Sequence, residues 1–206
     1  MEGALCRGAG PMTPRLIETM LWDGASYPRL PLHLVRLAGS AAVLRYSCDL
    51  TAVQEALPAP EGTARVRLTL GQAGDIEVTA APLPPAASHW RLALSPLRLD
   101  SADPWLRHKT TRRALYDASR AALPEGVEEV IFLNERGEVC EGTISTLFFD
   151  RGQGMRTPPL ASGCLPGVLR AELGCPEEVL RAEDLPQVRL WAGNALRGLI
   201  PAVWLG

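Results

Sequence analysis

A lysine, a glutamate and a handful of arginines carry the chemistry this chain could perform. Glu141 lies in "NERGEVCEGTISTLFF", residues 134–149, whose central turn and apolar flanks predict a β-hairpin. Glu138 follows the turn glycine and can face water, but Glu141 is carried into the interior with the second strand. A carboxylate buried without a partner is too costly to keep by accident. Lys109, in "HKTT", opens a predicted helix just after a predicted hinge, where an amine can project into a cleft. Once such an amine loses its proton it is a nucleophile toward a carbonyl carbon. Arg36 on an earlier predicted helix, and Arg112 and Arg113 beside the lysine, are of the type that pairs with phosphate or carboxylate. Tyr116 lies one helical turn from both of the latter. Each residue also has a plain structural reading: a solvated lysine, a wet helix face shared with Asp117, a half-buried tyrosine, an arginine partner for Glu141. Taken singly, the plain readings are preferred.

The elements that must position these side chains follow from periodicity. "RLIETMLWDG" has the composition of a strand and closes on the turn pair Asp23-Gly24. "PLHLVRLAGSAAVLRY" carries Leu34, Leu37, Ala41 and Leu44 at spacings of three and four, which predicts an amphipathic helix. Pro31 sits in its first turn, and His33 and Arg36 lie on a different face. "DLTAVQEAL" predicts a short helix capped by Asp49 and stopped by Pro58. In "TARVRLTLGQAGDIEVTAAP" the period becomes two, which predicts a hairpin, and "HWRLALS" predicts a further strand after a proline-rich loop.

The polar run "LDSADPW" reads as a hinge over residues 101–106, between an N-terminal α+β lobe, 1–100, and a C-terminal lobe, 107–206. Beyond it, "KTTRRALYDASRAAL" predicts a helix with threonines suited to capping, and "LPGVLRAEL" a helix starting at Pro166-Gly167. "VRLWAGNALRGLIPAVWL" predicts strand, turn and strand. Helices mixed with antiparallel hairpins argue for an α+β fold.

Composition removes several classes of function. With 47% apolar and 21% charged residues and a net charge of -2, the chain has the balance of a soluble globular protein and no basic stripe for nucleic acid or an anionic membrane. No segment approaches the roughly 20 apolar residues that span a bilayer. The five cysteines are scattered without CxxC or zinc spacing and read as reduced thiols of a cytoplasmic protein, and three isolated histidines offer no metal site. No repeat, low-complexity tract, GxGxxG or P-loop is present.

The order of the pieces changes the weighing. "HLVRL", "HKTT", "NERGEVCEGTIS", "TPPLASGCLPGVLR" and "GNALRGLIP", from about Glu18 to Pro201, together resemble the fold-type IV pyridoxal-phosphate enzymes, the class IV aminotransferase family. The resemblance implies a two-lobed α+β fold of the D-amino-acid aminotransferase type, with antiparallel sheets and packed helices, and a homodimer. It implies that Lys109 holds pyridoxal 5'-phosphate covalently through its aldehyde, that Glu141 faces the pyridine nitrogen and that Arg36 pairs with the phosphate. Leu165 corresponds to an apolar residue on the ring face, Val168 and Leu169 to backbone N–H donors for the phosphate, and Asn194 to a further phosphate contact. Relatives often carry Asn where this chain has Thr146, and some place a tyrosine toward the cofactor's phenolic oxygen at the position of Ala114, for which Tyr116 is the candidate replacement.

These residue types suit the chemistry. A carboxylate against the ring nitrogen favours its protonated form, in which the cofactor is the better electron sink. Nearby arginines and exclusion of water lower the pKa of a lysine. Within the family, the "ET" of the first strand and the "KTTRRALYD" segment resemble the lyase-type bacterial members. The implied activity is that of a 4-amino-4-deoxychorismate lyase, with Arg112 or Arg113 facing a substrate carboxylate. An aminotransferase for a small branched-chain or D-amino acid is the alternative. A catalytically silent member, binding cofactor or a partner, is a second alternative, against which Lys109 and Glu141 both speak.

Overall fold

The computed structural model describes residues 13–206. The N-terminal part is a three-stranded antiparallel sheet, β1 (Leu16–Trp22), β2 (Ala64–Leu70) and β3 (Ile76–Pro82), in the order β1-β2-β3. Two helices lie between β1 and β2 in sequence: α1 (Leu30–Leu44) and the short α2 (Leu50–Glu55). β2 alternates as its sequence demands. Val66, Leu68 and Leu70 enter a core with Leu16 and Met20 of β1, Leu37 and Ala41 of α1 and Val53 of α2, while Arg65 and Arg67 point away from it. Asp49 caps α2 as expected, accepting from the N–H groups of Thr51 and Ala52.

The remainder is built on a closed barrel of β4 (Trp90–Leu99), β5 (Glu129–Asn134), β6 (Val139–Gly142), β7 (Thr146–Asp150), β8 (Arg189–Asn194) and β9 (Gly198–Trp204). Its interior is apolar, with Leu92, Ile131, Leu147, Phe149 and Ala192 fully buried. The sheets are not antiparallel throughout. β4 runs parallel to both its neighbours, β5 and β9. A parallel pair needs a long crossover, and the chain between β4 and β5 supplies one through a 3-10 turn at Pro104–Arg107 and helix α3 (Ala114–Ala121). Since β4 closes the barrel, it belongs to this part of the molecule and not to the N-terminal lobe in which a boundary at residue 100 places it.

α3 begins later than its sequence suggests. Thr110 and Thr111 do not cap it: Thr110 bridges Leu16 of β1, and Thr111 exchanges backbone and side-chain hydrogen bonds with Arg15. Residues 109–111 are thus an extended strap on the N-terminal sheet, and Lys109 lies in that strap, not on a helix. The helix α4 (Val168–Leu173) starts where Pro166-Gly167 predicts, with Gly167 at its N-cap.

Candidate active site

The two halves of the molecule enclose a cleft of about 860 Å³. All the residues singled out above, Arg36, Lys109, Arg112, Arg113, Tyr116, Glu141, Leu165, Val168, Leu169 and Asn194, line it. The strap places Lys109 on its wall. Its carbonyl accepts from the Ile17 N–H at 2.8 Å, which ties the lysine backbone to β1. Among the described residues no carboxylate comes within ion-pair distance of its ammonium. Burial first, then Arg36 and Arg113, bring the Lys109 amine down to about 8, against weaker pulls from Glu18 and Glu141.

Glu141 is 7% exposed and held by two donors, the Tyr116 hydroxyl at 2.7 Å and the Leu165 N–H at 2.9 Å. Burial nonetheless pushes its carboxyl up to about 7, against the two hydrogen bonds and the field of Lys109. Tyr116 is fixed edge-on to Phe132, with centroids 5.2 Å apart, and burial and Glu141 raise its hydroxyl well above the ordinary value. Its hydroxyl therefore serves the carboxylate.

Arg36 is bidentate to Glu18, with Nε to Oε1 at 2.9 Å and Nη2 to Oε2 at 2.6 Å, while Nη1 reaches the Pro166 carbonyl at 3.4 Å. His33 adds a 2.6 Å contact to the same carboxylate. Burial pushes Glu18 up, but Arg36 and His33 together hold it below the usual carboxylate range. Glu18 was not singled out beforehand, since only the packing of α1 on β1 brings it under Arg36. Three of the five N–H donors of Arg36 are used in this way, and one N–H on each of Nη1 and Nη2 is left for an anion.

Val168 and Leu169 open α4, so their N–H groups have no acceptor within the helix. Two glycines let this segment approach its neighbours. A Cβ on Gly167 would meet Thr146 Oγ1 at 2.7 Å, and one on Gly193 would meet Leu169 Cδ2 at 2.7 Å and the Gly198 carbonyl at 2.8 Å. The Asn194 side chain is largely committed to the β8–β9 turn. Its Oδ1 accepts from the N–H groups of Leu196 and Arg197, and its Nδ2 donates to the Ile144 carbonyl, leaving one amide hydrogen. Arg113 binds Asp117 and the Thr143 carbonyl, at 2.7 and 3.1 Å, whereas Arg112 is half-exposed and lies over Trp105 at 5.1 Å.

Glu129, also unforeseen, is fully buried and organises the loop after Glu141, accepting from the Thr143 and Ile144 N–H groups and from the hydroxyls of Thr143 and Ser145.

The donor set fits pyridoxal phosphate. It comprises a primary amine without a carboxylate partner, a buried carboxyl with spare acceptor capacity, and an arginine beside unpaired N–H groups. One signal in the sequence marks the amine by itself: Lys109 is the only lysine in the 206 residues, against 20 arginines. Arginine cannot give up its proton, so where a cation serves only solvation or pairing this chain uses arginine. Its one deprotonatable side-chain amine is in the cleft.

Residues 15–203 match the family model described as "Amino-transferase class IV". The chain belongs to the class IV aminotransferase family. It is therefore a pyridoxal-phosphate-dependent enzyme, a lyase or a transaminase, with the fold-type IV architecture expected. A Schizosaccharomyces pombe protein provisionally named an aminodeoxychorismate lyase is 32% identical over 77% of this chain and 72% of its own length. Among solved structures, a Mesorhizobium loti protein provisionally named an amino-acid aminotransferase is 44% identical, with a TM-score of 0.88 over 94% of this chain and 100% of the other. The 4-amino-4-deoxychorismate lyase of Pseudomonas aeruginosa shares the fold at 22% identity, with a TM-score of 0.79 over 93% and 83% of the two chains.

Proposed function

We propose that the protein is a 4-amino-4-deoxychorismate lyase, releasing pyruvate and yielding 4-aminobenzoate for folate synthesis. The observation that carries the chemistry is a single cleft in which the only lysine, with its amine lowered to about 8, shares the field of a buried carboxyl raised to about 7. The choice of lyase rests on the fission-yeast relative and on the resemblance of the lysine segment to lyase-type members.

In this reading Lys109 would hold the cofactor by its aldehyde carbon, Glu141 would accept from the ring nitrogen, and Arg36 with the Val168 and Leu169 N–H groups would hold the phosphate. The bound cofactor supplies an electron sink conjugated to the substrate's amine-bearing carbon. Once the substrate amine has taken its place on the cofactor, the freed Lys109 Nζ would take the proton from that carbon and, as an ammonium, return one to the departing enolpyruvate. Tyr116 and the Leu165 N–H keep Glu141 aimed at the ring while Leu165 covers its face. Leu165 and the buried wall around Lys109 limit water at the reacting atoms. The protein acts on a small molecule, in the cytoplasm, and as a homodimer; Val35 and Val43 on α1, 71% and 68% exposed, are the most exposed large apolar side chains among the described residues.

Amino transfer to a 2-oxo acid is the second reading, favoured by the name given to the 44% identical M. loti protein. The deciding experiment incubates cofactor-loaded protein with 4-amino-4-deoxychorismate, and separately with amino acids and 2-oxoglutarate. Pyruvate and 4-aminobenzoate in equal amounts, lost in Lys109→Ala, support the lyase. Amino transfer without pyruvate release overturns it.

A further inference from the structure

Thr146 opens β7 on the cleft wall and is 8% exposed. Among the described residues its hydroxyl makes no hydrogen bond, whereas the hydroxyls of Thr143 and Ser145, close by in sequence, both donate to Glu129. The strand register shows which way Thr146 faces. It pairs with Glu141 across β6–β7 and with Gly193 across β7–β8, and side chains paired in this way stand on one face of the sheet. Thr146 therefore shares a face with Glu141, whose own donors are Tyr116 and the Leu165 N–H, and its neighbour on the other side has no side chain to offer. The segment before α4 lies against the same hydroxyl. A Cβ on Gly167 would meet Thr146 Oγ1 at 2.7 Å, so a glycine there is what leaves the hydroxyl its room. Arg36 reaches the adjoining residue, donating from Nη1 to the Pro166 carbonyl at 3.4 Å. Two side chains from the two halves of the molecule, one cationic and one a neutral donor, thus meet at Pro166-Gly167.

We infer that Thr146 is a further ligand of the cofactor, its hydroxyl donating to the phosphate group alongside Arg36. The inference rests on the reading that puts the ring nitrogen at Glu141 and the phosphate at Arg36. In pyridoxal phosphate the arm that bears the phosphate leaves the ring two atoms from the nitrogen, with a single C–H between them. A side chain that stands beside the carboxylate for the nitrogen and touches the segment held by the phosphate's arginine faces that edge of the ring. The C–H offers a hydroxyl no acceptor, so the acceptor in reach of Thr146 is an oxygen of the phosphate group. A cofactor filling the cleft also takes water away from Thr146. A hydroxyl left unpartnered there is costly, and an anionic oxygen supplies the partner in a charge-assisted bond. The branched Cβ restricts χ1 and keeps the hydroxyl at Gly167.

The test measures binding, not turnover. Pyridoxamine 5'-phosphate and pyridoxamine have no aldehyde and bind without a bond to Lys109, so titration calorimetry on the cofactor-free protein isolates what the phosphate contributes. The wild type should prefer the phosphorylated ligand by about a hundredfold or more, as an arginine and several N–H donors confer. Thr146→Val and Thr146→Ala should each weaken pyridoxamine 5'-phosphate about tenfold and leave pyridoxamine unchanged, while Thr146→Ser, which keeps the hydroxyl, stays within about threefold of the wild type. Thermal melts of the cofactor-free proteins should give Thr146→Val the wild-type Tm. A lowered Tm in both hydroxyl-free variants would mean that the hydroxyl already has a partner in the protein, and would overturn the inference. So would an equal loss for both ligands, which would make Thr146 part of the ring pocket. Equal wild-type affinities for the two ligands would sink the placement of the phosphate and this inference with it. A wild-type preference that survives in Thr146→Val and Thr146→Ala sinks the inference alone.

Discussion

Glu141 is held in the fold at a cost, and the cost can be measured. In the cofactor-free protein its carboxyl keeps its proton up to about pH 7, whereas the unfolded chain releases it near 4.5. The folded state therefore binds the extra proton in that window, and stability falls as pH rises through it. The difference between 4.5 and about 7, at about 1.4 kcal/mol per pH unit, puts the full cost at ~3 kcal/mol above pH 7. Glu141→Gln removes the charge and preserves both contacts. The amide oxygen accepts from the Leu165 N–H, and the Tyr116 hydroxyl turns to accept from the amide nitrogen. Some of the gain is returned because Glu141 helps to keep Lys109 charged, but Lys109 feels it less than burial and the two arginines.

Urea unfolding of cofactor-free wild type and variant between pH 4.5 and 8 should give nearly equal stabilities at the acid end. The variant should lead by ~2–3 kcal/mol above pH 7, or roughly 5–10 °C in Tm for a chain of this size. Cofactor-loaded, the same variant should lose most of its turnover, because the ring becomes a poorer electron sink. A stability gap that does not change with pH would refute the assignment of a raised carboxyl at 141, and unchanged turnover would return Glu141 to a purely structural role.

Cofactor uptake by the free protein should depend on the neutral Lys109 amine, so its rate should rise about tenfold per pH unit up to a midpoint near 8, which stopped-flow absorbance can follow. A midpoint near 10.5, the ordinary lysine value, would mean that the cleft does not perturb the amine. Glu18→Gln leaves the buried Arg36 without its carboxylate and should cost ~3–5 kcal/mol in the cofactor-free protein, with part restored by saturating pyridoxal phosphate as its phosphate supplies Arg36 with a negative partner. An identical deficit with and without cofactor in thermal melts would detach Arg36 from the phosphate. Gly193→Ala forces Leu169 and the Gly198 carbonyl apart, so it should cost about 1–3 kcal/mol and weaken cofactor affinity through α4, as equilibrium dialysis would show.

Local signals carried much of this molecule. The alternation in "ARVRLTL", the leucine spacing of α1 and the Pro-Gly before α4 each describe an element whose partner is close in sequence or whose face is defined by its own pattern. What required distant partners was not legible. The parallel placement of β4 depends on β5 and β9, residues far along the chain, and nothing in "HWRLALS" specifies parallel pairing. The threonines after Lys109 have good capping chemistry, yet β1 takes Thr110 and Arg15 takes Thr111, which delays α3. Glu141 was recognisable because a carboxylate in an apolar hairpin is locally anomalous. Glu18 is as deeply buried, at 2% exposure, but in a short strand of mixed composition, and only the docking of α1 gives it Arg36 and His33. The solitary lysine was plain in the composition and needed only the question of why arginine would not serve.

Borohydride reduction of the cofactor-loaded protein, followed by peptide mass mapping, tests the central claim most directly, since the side-chain amine of Lys109 is the only one of its kind in the chain. The account predicts one pyridoxyl group per chain, on the peptide containing Lys109, and none there in Lys109→Ala. Label confined to the N-terminal amine, or no stable label under conditions of full cofactor occupancy, would contradict it.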